Sequence, residues 1–126
     1  MRSALVLIVL SATAHAAPGV RAPAPVMPSD KAVILDWARQ TLADPYSLRS
    51  TGISAPLVSP DGSGMVCIEF NARNALGGYT GIERMAFVWT PTGLRPATRG
   101  LGGITNLTCY QPGAAMRPFP ELSQIK

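Results

Sequence analysis

The sequence predicts a single α+β domain in which an N-terminal helix packs on an antiparallel sheet of three or four strands. Residues 31–43 contain neither glycine nor proline and place apolar side chains at helical spacing. Two later stretches place bulky apolar side chains at every second position, which is typical of strands. Once the predicted signal peptide, residues 1–16, is removed, 110 residues remain, a length that suits one domain.

The first 16 residues are predicted to be a signal peptide. Arg2 gives a positive start, residues 5–10 form an uncharged apolar run, and residues 14–16 have the small-x-small pattern of a cleavage site. The alternative, a membrane anchor, is disfavoured because the apolar run is shorter than the ~20 residues that a bilayer requires. We therefore expect a periplasmic or secreted protein with no membrane span in the mature chain, and cleavage removes His15, the only histidine.

The mature chain is mildly basic, with ten basic and seven acidic residues and a net charge of +3. This charge suits an anionic envelope component or an acidic protein patch, although it also fits a surface that is merely kept soluble. The dense Lys and Arg stripe of a nucleic-acid binder is absent from the sequence. Scattered carboxylates and the loss of histidine give no reason to expect a metal site, and we expect no cofactor.

The predicted elements follow in chain order. Residues 17–29 are rich in proline and alanine and are predicted to be an extended linker. The single α+β domain is predicted over residues 30–111. Ser29 or Asp30 can cap the helix over residues 31–43, and Asp44–Pro45 ends it.

Three strands are predicted over residues 48–54, 65–72 and 82–90. The second strand places Val66, Ile68 and Phe70 on one face, which should meet the helix. A short final strand within residues 104–110 is expected to carry Cys109 to the sheet. Residues 112–126 contain three prolines and are predicted to be a flexible tail.

Residues 71–81 connect the two clearest strands and have two interpretations. The first is a hairpin loop in which asparagine and glycine relieve backbone strain and Gly81 forms a bulge. The second is a recognition loop that presents backbone N–H groups, side-chain amides, an arginine fork and an aromatic face. The candidate binding residues are Asn71, Arg73, Asn74, Gly77, Gly78 and Tyr79.

Cys67 and Cys109 are predicted to form a disulfide, because two cysteines in an exported chain most often pair. The bond would close a loop of 42 sequence steps and stabilise the fold by about 4 kcal/mol in the chain-entropy model. Free thiols or a redox pair are the alternatives, and the absence of a C-x-x-C motif disfavours the redox pair.

Few residues suggest catalysis, and we expect the protein not to be an enzyme. Glu69 and Glu83 form the one carboxylate pair that could act as acid and base, but solvated or arginine-paired positions on a sheet are the more ordinary interpretation. Trp37 and Trp89 could stack on a ligand, yet their placement on apolar faces favours the core.

Residues 37–88 resemble a family of small exported or envelope-associated proteins of Gram-negative bacteria. The shared pattern is D-P-x-S followed by V-C-x-x-x-N-A-[KR]-N-x-x-G-G-Y-x-G, which this chain matches from Asp44 and again from Val66. Ile68 stands where such sequences often have a glycine. The resemblance implies a bacterial, extracytoplasmic α+β domain, and it implies no active site.

These observations together predict a non-enzymatic periplasmic or secreted accessory module that binds an envelope component or a protein partner. An inhibitor or effector of a partner enzyme is the first alternative, and an enzyme with an unrecognised site is the second. A deep pocket would favour an enzyme, whereas a protruding hairpin or a flat sheet face would favour binding.

Overall fold

The protein is described by a computed structural model that covers residues 22–59, 62–97 and 106–126. The predicted α+β class is confirmed, but the sheet has six antiparallel strands rather than three or four. Among the described residues, no helix has the length and hydropathy that a bilayer crossing requires. The predicted signal peptide lies outside the described residues.

The elements are α1 Pro28–Thr41, η1 Pro45–Ser47, β1 Arg49–Ser54, β2 Leu57–Val58, β3 Gly64–Asn71, β4 Glu83–Thr90, β5 Gly93–Pro96, η2 Asn106–Tyr110, β6 Met116–Pro118 and α2 Pro120–Ser123, where η denotes a 3-10 helix.

Helix α1 begins three residues earlier than predicted. Pro28 occupies its first turn, where a missing N–H costs no hydrogen bond. The Asp30 carboxylate accepts a hydrogen bond from the backbone N–H of Met27 at 2.8 Å, so Asp30 supports the helix start from inside the first turn. The predicted linker therefore ends at Met27 rather than residue 29, and its Val26 packs against the core.

Strands β3 and β4 form the centre of the sheet, in the order β5-β4-β3-β1-β6, with β2 also pairing with β3. As predicted, Val66, Ile68 and Phe70 face α1 and pack with Ile34 and Ala38. Both tryptophans also contribute to this core, as predicted. The Trp37 ring packs edge-on against those of Phe70 and Phe87, and Trp89 is buried.

The opposite face of the sheet is buried as well, although the sequence pattern suggested half-buried strands. Met65, Cys67, Ala86 and Val88 form a second cluster with Cys109. The predicted disulfide between Cys67 and Cys109 is confirmed, with Cα atoms 5.7 Å apart. This bond fastens η2 across the sheet face.

The prediction of a strand carrying Cys109 was wrong, because residues 106–110 form η2. Contacts across the sheet face hold this short helix in place. The side chain of Asn106 accepts a hydrogen bond from the Ala86 N–H at 3.1 Å, and the Arg84 guanidinium donates to the Cys109 carbonyl at 2.8 Å. A segment bound on a face in this way does not need to pair at an edge of the sheet.

The C-terminal segment also differs from the predicted flexible tail at residues 112–126. Its strand β6 pairs with β1, and Phe119, Leu122 and Ile125 are buried in the core that contains α1. The prolines do not prevent this packing. Pro118 lies on an edge strand and Pro120 in the first turn of α2, two positions that tolerate a residue without an N–H.

Candidate binding site at the hairpin end

Strands β3 and β4 are joined by a hairpin whose end contains the predicted site residues. Arg73 and Tyr79 pair across it, and the pairing register shifts by one residue between that bridge and the Phe70–Glu83 pair. Gly81 lies within the shifted segment with φ of +105°, as expected for the predicted bulge. Residues 73–83 are exposed without interruption.

Four of the six predicted binding residues stabilise the conformation of the loop, namely Asn71, Asn74, Gly77 and Gly78. The Asn74 side-chain oxygen accepts hydrogen bonds from the N–H groups of Leu76 and Gly78 at 2.9 and 3.2 Å. Gly77 has φ of +83°, which favours glycine in the turn. The Asn71 side-chain oxygen accepts from the N–H of Gly81 at 3.2 Å. The turn therefore already occupies both amide oxygens.

Tyr79 provides a fixed aromatic platform at this end. Its hydroxyl donates a hydrogen bond to the Ser47 carbonyl at 2.7 Å, while 36% of the residue stays exposed. The guanidinium carbon of Arg49 lies 3.5 Å from the centroid of the ring, within the range of a cation–π interaction. The ring is thus anchored through its hydroxyl and covered on one face by a cation.

Arg73 lies on the same ring at a greater distance. Its guanidinium carbon is 5.8 Å from the Tyr79 centroid, and its backbone N–H donates to the Ser47 hydroxyl at 2.9 Å. The Arg73 Nε lies 3.7 Å from a carboxylate oxygen of Asp44, a long and exposed ion pair. Such a pair contributes little to stability and leaves most of the guanidinium donors available.

Arg49 was not among the predicted site residues. Next to it, Ser50 has φ of +54°, and the β1–β3 register is irregular between Arg49 and Gly52. An irregularity of this kind redirects side chains, and here the Arg49 side chain covers Tyr79. Nothing local in the sequence marks Arg49, because its role depends on how β1 pairs with β3.

Arg49 has no carboxylate partner within the described ranges of the chain. Two further large side chains are exposed at the hairpin end. Leu76 at the loop tip is 94% exposed, and Tyr46 in η1 is largely exposed and precedes Ser47, which contacts Tyr79 and Arg73. We call Tyr46, Arg49, Arg73, Leu76 and Tyr79 the hairpin-end surface. Its composition is aromatic, arginine-rich and free of lysine.

The structure separates the two glutamates that were considered for acid and base catalysis. Glu69 lies opposite Arg84 in the sheet, and their side chains form an ion pair at 3.3 Å. Glu83 lies opposite Phe70, one position further along, and therefore on the other face. The two carboxylates do not form a pair.

A shallow cleft of about 220 Å³ lies between the end of α1 and the base of the hairpin. Phe70 contributes an apolar wall, and Arg73 and Glu83 lie at its polar rim. Across the described part of the chain, no three side chains of the His, Cys, Asp or Glu type come together in a way that could hold a metal ion.

Comparisons with known proteins find no protein-family model, no curated protein and no solved structure that matches this chain. The resemblance of residues 37–88 to an exported Gram-negative family stays a prediction. A function is therefore best inferred from the geometry of the hairpin end.

Proposed function

We propose that this protein is a non-enzymatic periplasmic or secreted accessory module that binds a protein partner or an envelope component through the hairpin-end surface. One observation carries the proposal. The Arg49 guanidinium lies on the anchored, partly exposed ring of Tyr79 and has no carboxylate partner in the described residues.

The surface has the properties of a binding site that is ordered before its partner arrives. Tyrosine and arginine supply much of the energy at protein interfaces, because both offer large contact areas together with hydrogen bonds. Here the Tyr79 hydroxyl bond and the contact with Arg49 restrict both side chains in the free protein. Less entropy is then lost on binding.

An extracytoplasmic location agrees with the disulfide. Cys67 and Cys109 are both fully buried and bonded, and such bonds form and persist in oxidising compartments. The predicted signal peptide and the basic charge of the chain are consistent with this location.

The positions of the carboxylates support a binding role rather than catalysis. Glu69 and Glu83 were the only pair that the sequence suggested for acid and base chemistry, and they lie on opposite faces of the sheet. Residues 73–83 at the hairpin end are exposed without interruption, which favours a partner surface. An inhibitor or effector would bind in the same way as an accessory module. The two would differ only in how binding changes the activity of the partner.

Site-specific photo-crosslinking in the native envelope tests the proposal. A photoreactive residue at Leu76 should capture one dominant component, whereas the same residue at Leu107 should not. Leu107 is a matched control because it is also an exposed leucine but lies in η2, on the sheet face opposite α1. The captured component, once purified, should bind the wild-type protein and lose affinity for the Leu76→Asp variant.

Equal capture from both positions, or capture from neither, would contradict a binding site at the hairpin end. If the captured component is an enzyme, its activity with and without the purified protein decides between an accessory module and an inhibitor.

A further inference from the structure

We propose that the hairpin end recognises carboxylate groups of an acidic protein partner, which Arg49 and Arg73 hold beside the Tyr79 ring. This inference rests on the proposed function and specifies the chemistry of its partner. We call these three residues the arginine–tyrosine stack.

The geometry brings two guanidinium groups within reach of one acidic segment. The guanidinium carbons of Arg49 and Arg73 lie 3.5 and 5.8 Å from the same ring centroid, so they are separated by at most about 9.3 Å, the sum of the two distances. Neighbouring carboxylates on a partner could therefore contact both arginines at once. Each guanidinium can form paired hydrogen bonds with a carboxylate.

The charges around the stack favour an incoming anion. Asp44 is the one carboxylate that pairs with the stack in the described residues, at 3.7 Å from Arg73. The other oxygen of Asp44 accepts a hydrogen bond from the backbone N–H of Tyr46 at 3.2 Å, so Asp44 also caps the N-terminus of η1. Among the described residues no carboxylate forms an ion pair with Arg49, so a partner's carboxylate would meet no competing acid of the described chain at this arginine.

The observations favour an acidic protein over an anionic membrane. Lipid recognition by charge uses clusters of about four to eight basic residues, and the stack provides two. Both are arginines, whose planar donor fork matches a carboxylate. Tyr46, which is largely exposed in η1, belongs with arginine to the residue types that are enriched at protein interfaces.

A titration followed by nuclear magnetic resonance tests this inference on the purified, oxidised protein. The probe is a blocked tetrapeptide of alternating aspartate and glutamate, and its counterpart contains asparagine and glutamine. The acidic peptide should shift the side-chain Nε–Hε signals of Arg49 and Arg73 saturably, and the amide peptide should not. Vesicles containing phosphatidylglycerol form a second arm and should not bind.

Matched variants separate local recognition from net charge. Arg49→Gln should weaken binding of the acidic peptide by about fivefold to tenfold. Arg95→Gln should weaken it by less than about twofold, because Arg95 lies on β5 and is exposed with no ion pair in the described residues. Arg49→Lys, which keeps the charge but loses the planar fork, should give an intermediate loss.

Three results would overturn the inference: no saturable binding of the acidic peptide, equal losses in Arg49→Gln and Arg95→Gln, or binding to vesicles without binding to the peptide. The proposed function fails separately. If crosslinking from Leu76 succeeds while Arg49→Gln leaves capture unchanged, the result supports the proposed binding surface and contradicts carboxylate recognition by the stack.

Discussion

Leu122→Ala tests whether the C-terminal segment is part of the core. Leu122 has 0% exposure and belongs to the cluster that contains Ile34 of α1 and Phe87 of β4. Truncating a buried leucine to alanine removes apolar contacts and leaves a cavity, which costs about 2–5 kcal/mol. Because α2 has only four residues, it can partly settle into the space. We expect a loss in the free energy of unfolding of about 3 kcal/mol.

Urea unfolding of the oxidised protein, followed by tryptophan fluorescence, measures this loss. In a domain of this size it corresponds to a fall in melting temperature of about 12 °C or more. Leu107→Ala is the matched control, since Leu107 is 72% exposed and its truncation should change stability by less than about 0.5 kcal/mol. If Leu122→Ala is no more destabilising than Leu107→Ala, residues 116–126 do not contribute to the core and the packing described above is wrong.

Three further predictions concern the disulfide, the ring anchor and pH. Replacing Cys67 and Cys109 together by serine should lower the free energy of unfolding by about 4 kcal/mol. Because both cysteines are buried, alkylation is done in urea without reductant and should label neither of them, and labelling of both in mass spectra would contradict the bond. Tyr79→Phe keeps the ring but removes the hydroxyl that donates to the backbone at 2.7 Å, so urea unfolding should show a loss of about 1 kcal/mol, and an unchanged midpoint would show that this bond contributes nothing. A hydrogen bond from its own backbone, and then the ion pair with Lys31, lower the pKa of Glu121 below its ordinary value of 4.5. Because the folded-state pKa is the lower one, this stabilisation is present above pH 4.5 and is lost as the pH falls through the folded pKa. Glu121 is exposed, so Glu121→Gln should remove only roughly a few tenths of a kcal/mol of acid-dependent stability, and an unchanged pH dependence of urea unfolding would contradict the shift.

The sequence predicted the central strands because their pattern is long enough to read. Strands β3 and β4 have eight residues each, so the period of two repeats several times, and the predicted ends differ from the observed ones by at most one residue. Strands β2, β5 and β6 have two to four residues, which is too short for any period to emerge. Their pairing depends on contacts with distant parts of the chain.

The sequence of the C-terminal segment contains regularly spaced apolar residues, but its prolines favoured a different interpretation. Phe119, Leu122 and Ile125 recur every three residues, and all three are buried. Prolines commonly end regular structure, yet Pro118 and Pro120 occupy positions that need no N–H hydrogen bond. The prediction of a flexible tail relied on the number of prolines, because the sequence alone does not show which positions in the fold they occupy.

The candidate site was partly predictable for a related reason. Arg73 and Tyr79 lie within one loop, so the sequence alone brings them together. Arg49 joins them only because β1 pairs with β3 and has an irregular register beside Ser50. Strand pairing of this kind is set by the packing of the whole sheet.

Burial of both faces of the sheet determines which backbone amides can exchange with solvent without unfolding of the domain. Strand β3 is paired along both edges and covered on both faces, so its amide hydrogens can exchange with solvent only when most of the domain unfolds. Residues 73–83 lie outside that protection and are exposed throughout. A partner can therefore bind the exposed hairpin end while the centre of the sheet stays folded, so binding and folding can be altered by different residues.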